Sequence, residues 1–260
     1  MSRDLLAALA GAIGSGSVEI VDLTHALDPD FPVIVLPPEF GQSAPFRTET
    51  ISRYDADGPA WYWNNFTVGE HTGTHIDAPV HWITGRNLPA NSIDAMPLAA
   101  MLAPAVVIDM SAEAAADPDA LLTRASLDAF EAEHGTIPAG AWVLLRTDWS
   151  KRSAADYANL RDDGAHTPGP DAAAIRWLVH ERGILGFGTE TIGTDAGQAG
   201  HFDPPYPAHH FLHGAGRYGL QCLAELDRLP PTGALLLAAP LKIRNGSGTP
   251  LRVLALVPRP

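Results

Sequence analysis

Residues 71–81 read HTGTHIDAPVH, so His71, His75, Asp77 and His81 fall within one short stretch beside Gly73 and Pro79. Imidazoles and a carboxylate at such density form a donor set for a Zn, Mn or Fe(II) ion. Three protein donors leave positions open for water or substrate, the layout of a catalytic rather than a structural site. An ion bound there lowers the pKa of water and polarises a carbonyl. A neighbouring histidine such as His81 can then move the protons.

His71 and His75 have the i, i+4 spacing of a helical zinc motif, but a helix is a poor reading. Thr72 stands where such a helix carries its glutamate, Gly73 weakens the helix, and Pro79 breaks its continuation. In an extended segment, alternation puts His71, His75 and Asp77 on one face. Full extension would hold the two histidine Cα atoms roughly 13 Å apart. That is long for two rings meeting at one ion with metal–nitrogen bonds of about 2.1 Å. The chain is therefore expected to curve at Gly73 and to bend again at Pro79.

The elements that must position this segment are short. Apolar runs bounded by turn residues predict strands at Val18–Leu23, Trp61–Val68, Ala105–Met110, Trp142–Arg146, Ile184–Phe187, Gly219–Leu223, Ala234–Ala238 and Leu251–Val257. Two helices are predicted. Ser126 is expected to cap LDAFEAEH, which Gly135 ends, and PDAAAIRWLVHERG is expected to start with Pro170 and Asp171 and stop at Gly183. Strands and helices mix without strict alternation, which predicts one mixed α/β domain over residues 1–260. Its first residues, about 1–16, read as a short amphipathic helical arm. A signal peptide is a poorer reading, because Asp4 sits at the start and the apolar run is soon broken.

Composition narrows the partners. The 260 residues suit one large domain, and 46% hydrophobic against 18% charged residues is enough for a sizeable core. A net charge of −13 argues against nucleic acid and against anionic membranes as partners, and leaves a small molecule as the expected one. The single cysteine, Cys222, rules out an internal disulfide; it reads as a buried, inert thiol. No apolar run approaches the ~18 residues of a membrane-spanning helix, so a cytoplasmic protein is the default expectation. The stretch GFGTETIG lacks dinucleotide spacing and is not followed by a helical pattern.

HTGTHIDAPVH resembles the HxGTHxDxPxH motif of the cyclase-like metal hydrolases, a family with kynurenine formamidase and isatin hydrolase branches. DLTHALDPDFPV (Asp22–Val33), RTDW (Arg146–Trp149), GTETIGTDAG (Gly188–Gly197) and HHFLHGAGRYGLQCLAELDRLP (His209–Pro230) resemble its other motifs, so the likeness covers most of the chain. It implies a swivelling β/β/α fold, a homodimer or higher homo-oligomer, and a divalent metal. It implies His71, His75 and Asp77 as metal ligands and His81 as the catalytic histidine.

Where the two-zinc formamidases place a further histidine and then a glutamate, this chain has His209 (or His210, one residue out of register) and Gln221. An amide offers one neutral oxygen, and two divalent ions would then share the single carboxylate of Asp77. One cation per chain is therefore expected, with Gln221 as a ligand and His209 aiding catalysis. That pattern resembles the isatin hydrolase branch and favours Mn2+, with Zn2+ possible.

Ile34 replaces the aromatic residue that the formamidases carry after PV. The expected substrate wall is Trp61, Trp63 and Phe66 of WYWNNF, with Trp82 and Phe211, while HFDPPYPAHH reads as a lid or pocket wall. The expected activity is hydrolysis of a small aromatic cyclic amide, isatin to isatinate. N-formylkynurenine hydrolysis is the alternative, and a metal- or ligand-binding protein without catalysis is the rival of another class.

Overall fold

The computed structural model describes residues 2–259. A nine-stranded sheet organises the chain. Across it run Val18–Asp22, Val253–Pro258, Ala234–Ala238, Leu102–Asp109, Trp142–Arg146, Gly186–Thr189, Tyr218–Gln221, His75–Asp77 and Gly248–Pro250. The four strands from Leu102–Asp109 to Tyr218–Gln221 are parallel to one another, and the flanking pairs are antiparallel. Parallel strands need both faces covered, and here the sheet supplies one of the covers itself. It curls until the chain beyond its first strand meets the chain beyond Tyr218–Gln221, in the bridge between Thr24 and Leu223.

Alternation along each strand then serves two cores. Ala105, Val107, Trp142, Leu144 and Leu220 face inward against Val21, Leu236, Val253 and Ala255 of the antiparallel half. Val106, Ile108, Val143, Leu145 and Phe187 face outward onto helices Arg124–His134, Ala172–His180 and Pro207–Gly214. The layers are sheet, sheet and helix, the expected β/β/α arrangement of one mixed α/β domain. Each helix side chain fully buried there, such as Leu127, Ile175 or Leu178, stabilises the packing by about 1.5–3 kcal/mol.

All eight predicted strands are present, with ends shifted by up to three residues. The helix starts differ from expectation. Thr123, not Ser126, caps Arg124–His134; Ser126 is its third residue and completes a reciprocal capping box. Asp171 caps Ala172–His180, its carboxylate accepting the Ala174 N–H at 2.6 Å, so the helix begins just after the expected Pro170–Asp171 start. Helix Pro207–Gly214 was not expected. It has no side-chain cap of its own: Tyr206 at its N-terminus is in the left-handed region, φ 52°. At the N-terminus of the chain, helix Ser2–Ser15 stands before the first strand.

Candidate metal centre and active site

The motif folds as a short strand and a turn. Gly73 is in the left-handed region at φ 65°, where a side chain would be strained and a Cβ would meet Leu27. That curve brings the ring of His71 to 5.5 Å from the ring of His75, centroid to centroid. His75–Asp77 then runs antiparallel to Tyr218–Gln221, with Gln221 opposite His75 and Gly219 opposite Asp77. Pro79–His81 makes one 3-10 turn that carries His81 back over the strand.

Asp77 is the centre, 1% exposed. Its Oδ1 lies 2.7 Å from His71 Nδ1 and 3.6 Å from His75 Nε2. Its Oδ2 accepts the Gln221 amide at 2.5 Å and lies 3.7 Å from His209 Nε2 and 4.0 Å from His213 Nε2. The space opposite is tight: a Cβ on Gly219 would sit 3.0 Å from Gln221 Nε2 and 3.6 Å from Asp77 Oδ2.

Three rings are pinned by their outer nitrogens. His75 Nδ1 donates to the Gly73 carbonyl at 2.8 Å, His213 Nδ1 to the Arg217 carbonyl at 3.2 Å, and His209 Nδ1 to Asp195 Oδ2 at 2.5 Å. In each neutral ring the lone pair is then on Nε2, directed toward Asp77. The His213 Nε2 and Gln221 Oε1 atoms are buried and have no hydrogen-bond partner among the described residues. A carboxylate, converging imidazole lone pairs and an unpartnered amide oxygen form a donor set that fits a divalent cation. Two donor groups, His71–Asp77–His81 and Asp77–His209–His213, share the one carboxylate.

Electrostatics agrees with a cation site. Burial pushes the Asp77 carboxyl up, yet the His81 and His71 rings beside it and the close contact with His71 together hold it well below the usual carboxylate range. Burial, with the other rings nearby, pulls His75 and His81 down to about 4 and His213 to about 3. For His209 burial is outweighed by Asp195, which raises its pKa. His81 makes no side-chain hydrogen bond among the described residues. Its ring lies 4.0 Å from that of His71 and 5.6 Å from that of His209.

Of the residues singled out in the sequence, His71, His75, Asp77, His81, His209 and Gln221 come together, and His209 rather than His210 faces Asp77. Trp82 also arrives, its ring 4.7 Å from that of His209. Trp61, Trp63 and Phe66 do not. They lie on an exposed two-stranded hairpin of Arg47–Arg53 and Tyr62–Thr67, and none of them lines the cavity beside His209. Phe211 packs against the outer core and His180.

That cavity, about 700 Å3, is walled by Ile34, Val35, Leu36 and Pro37 together with Asp163–Ala165, His201 and Tyr206. HFDPPYPAHH therefore does form a wall. Asp195 and His213 were missed. His213 had a signal, since it stands i+4 from His209 and shares its helix face. Asp195 had none beyond its place in GTETIGTDAG.

A model of the Cyclase family matches residues 21–196. The isatin hydrolase of Roseibium aggregatum is 49% identical over 99% of this chain and 99% of its own. Among solved structures, isatin hydrolase A from Labrenzia aggregata, bound to benzyl benzoate, superposes with a TM-score of 0.97 at 63% identity, over 98% of this chain and 99% of that one. An isatin hydrolase bound to the product analogue thioisatinate superposes at 0.98 with 48% identity over 100% of both chains.

Proposed function

The chain belongs to the cyclase family, and from that premise we propose that it is a metal-dependent amidohydrolase that opens the lactam of isatin to isatinate. The observation that carries the reading is the convergence of pinned imidazoles on the buried Asp77, with the one unpinned ring, His81, beside them. Similarity to isatin hydrolases over the whole chain supports the substrate.

His71, His75, Asp77 and Gln221 would hold the cation. Bound there, it would polarise the lactam carbonyl and acidify water. The rest is work for the chain's own groups. His81 is neutral near pH 7, because burial and the neighbouring rings keep its pKa at about 4. A free ring nitrogen can take a proton from the water that adds to the carbonyl carbon. As the carbon–nitrogen bond breaks, the same ring returns that proton to the leaving nitrogen, giving the amine and the carboxylic acid, which loses its remaining proton to solvent as the carboxylate. His209, held by Asp195, presents Nε2 to the same space and aids the transfer. Trp82 against His209, and the apolar wall from Ile34 to Pro37, suit a flat bicyclic ligand.

One cation per chain is part of the proposal, supported by the neutral Gln221 and the single central carboxylate, with Mn2+ favoured over Zn2+. So is a homodimer. Its support is the hairpin, where Trp61, Trp63 and Phe66 are 50%, 54% and 63% exposed. A patch of that kind marks an interaction surface. A cytoplasmic location is also part of the proposal. Among the described residues no helix is long and apolar enough to cross a membrane.

The test is a panel of cyclic amides and formamides assayed with Mn2+- and Zn2+-loaded protein. Turnover of isatin that disappears with chelator supports the reading. Absence of turnover on every amide in both metal forms rejects it.

A further inference from the structure

His71 differs from the other rings, because both of its nitrogens are engaged. Nδ1 lies 2.7 Å from Asp77 Oδ1, and Nε2 lies 2.9 Å from Ser247 Oγ. Ser247 in turn donates to Glu70 Oε2 at 2.5 Å, and its backbone N–H reaches the same oxygen at 3.2 Å. The result is a chain of three links, Asp77–His71–Ser247–Glu70, with a carboxylate at each end.

Counting hydrogens shows what this chain requires. Ionised carboxylates only accept, a neutral imidazole donates one hydrogen, and a hydroxyl donates one. Three links need three hydrogens, and only two are available. With its hydroxyl hydrogen on Glu70, Ser247 can only accept, so His71 Nε2 must carry the N–H. The His71 Nδ1 lone pair is then aimed at Asp77 Oδ1, acceptor against acceptor. That link holds only with a positive charge there, either an added proton or a cation that both atoms ligate.

We infer that Glu70 and Ser247 are positioning residues that set the tautomer of His71, so that it offers Nδ1 to the cation while His75 offers Nε2. The inference rests on the metal reading above and deepens it. Local structure supports the role. Gly248, next to Ser247, pairs with Asp77, and a Cβ there would run into the Ile76 carbonyl and the His71 ring. The Ser247 carbonyl also accepts the Ala78 N–H at 2.8 Å. The hydroxyl is therefore carried on backbone tied directly to the ligand strand.

Nitrogen-15 NMR of Zn2+-loaded protein tests the assignment. The expected result is a His71 ring protonated at Nε2 and liganded at Nδ1. Ligation through Nε2 overturns it. Chelator competition tests the consequence: Ser247→Ala should weaken Zn2+ binding by roughly tenfold to a hundredfold, the usual cost of losing such an outer partner. Unchanged affinity in a variant that melts like the wild type overturns this proposal alone. Wild-type protein that takes up no divalent ion overturns the metal reading with it. Should Ser247→Ala not fold, the NMR result on the wild type still decides.

Discussion

Asp195 joins the candidate site to the fold: its Oδ2 lies 2.5 Å from His209 Nδ1, and its Oδ1 accepts the Ala208 N–H at 2.6 Å. One carboxylate thus orients a site histidine and caps the helix that carries it, in place of the side-chain cap that Tyr206 cannot supply. The two roles separate by substitution. Asp195→Asn keeps an oxygen for the helix and loses the charge that holds the ring. It should cut kcat by about tenfold to a hundredfold with little change in melting temperature. Asp195→Ala should lose the cap as well, at about 0.5–2 kcal/mol of stability in urea titrations. Full activity in Asp195→Asn would show that His209 needs no orienting charge.

Metal and proton roles separate in the same way. His75→Ala and Asp77→Ala should lose both bound metal and activity, and chelation of the wild type should reproduce the loss. His81→Ala should keep the metal while kcat falls by roughly a hundredfold or more, the size of an acid–base contribution. Elemental analysis beside turnover gives the answer. Full metal content in Asp77→Ala would remove the ligand assignment, and near-normal turnover in His81→Ala would make His81 structural.

Local pattern is readable in this chain and placement is not. Period-two alternation put His75 and Asp77 on one face, and the structure has them there, because a strand leaves no other choice. Gly73 was readable as the curve because only glycine takes its backbone angle without strain. Helix Pro207–Gly214 was unreadable because its cap comes from Asp195, distant in sequence. Phe211 shows the cost: two residues from His209 on a helix, it faces away and joins the outer core. Alternation along WYWNNF could not say that the hairpin carrying Trp61 and Trp63 lies outside the nine-stranded sheet.

Asp163 of the cavity wall belongs to a charge clamp. His166 Nδ1 lies 2.6 Å from Asp119 Oδ2 and its Nε2 lies 2.9 Å from Asp163 Oδ1. Both carboxylates accept, so the arrangement suits the imidazolium, and the bonds to Asp163 and then Asp119 raise its pKa above the ordinary 6.5. A raised folded-state value means stability that is fully present below about 6.5 and lost as pH rises through the folded value. Urea unfolding of wild type and His166→Gln should therefore differ more near pH ~5.5 than near pH ~9. An equal or larger difference at the alkaline end would contradict the clamp.

Assembly follows from the hairpin. Strand Tyr62–Thr67 is exposed at every residue, and isolated two-stranded ribbons are marginal in water. Phe66 also borders a second cavity of about 630 Å3 with Leu27, Leu241 and Ile243. A stable dimer buries at least about 1,000 Å2, and this surface is the apolar area we assign to it. Light scattering should give a dimer for the wild type and a shift toward monomer for Trp63→Glu. A wild type that is monomeric and fully active would end the proposal.

Substrate choice rests on the cavity wall rather than on the hairpin. N-formylkynurenine carries an α-carboxylate and an ammonium as well as its formamide. The residues lining the cavity beside His209 include Asp163 and Asp195 but no lysine or arginine. The α-carboxylate would lie unpaired there, and an unpaired buried charge is costly. Isatin is neutral and planar, and Ile34 leaves an aliphatic face for it where the formamidases carry an aromatic contact. We expect kcat/KM for isatin to exceed that for N-formylkynurenine by at least about tenfold, which requires only about 1.4 kcal/mol of differential transition-state binding. Loss of isatin absorbance and release of kynurenine can be followed with one Mn2+-loaded preparation. A preference for the formylated amino acid would reject the lactam assignment and leave the amidohydrolase reading standing.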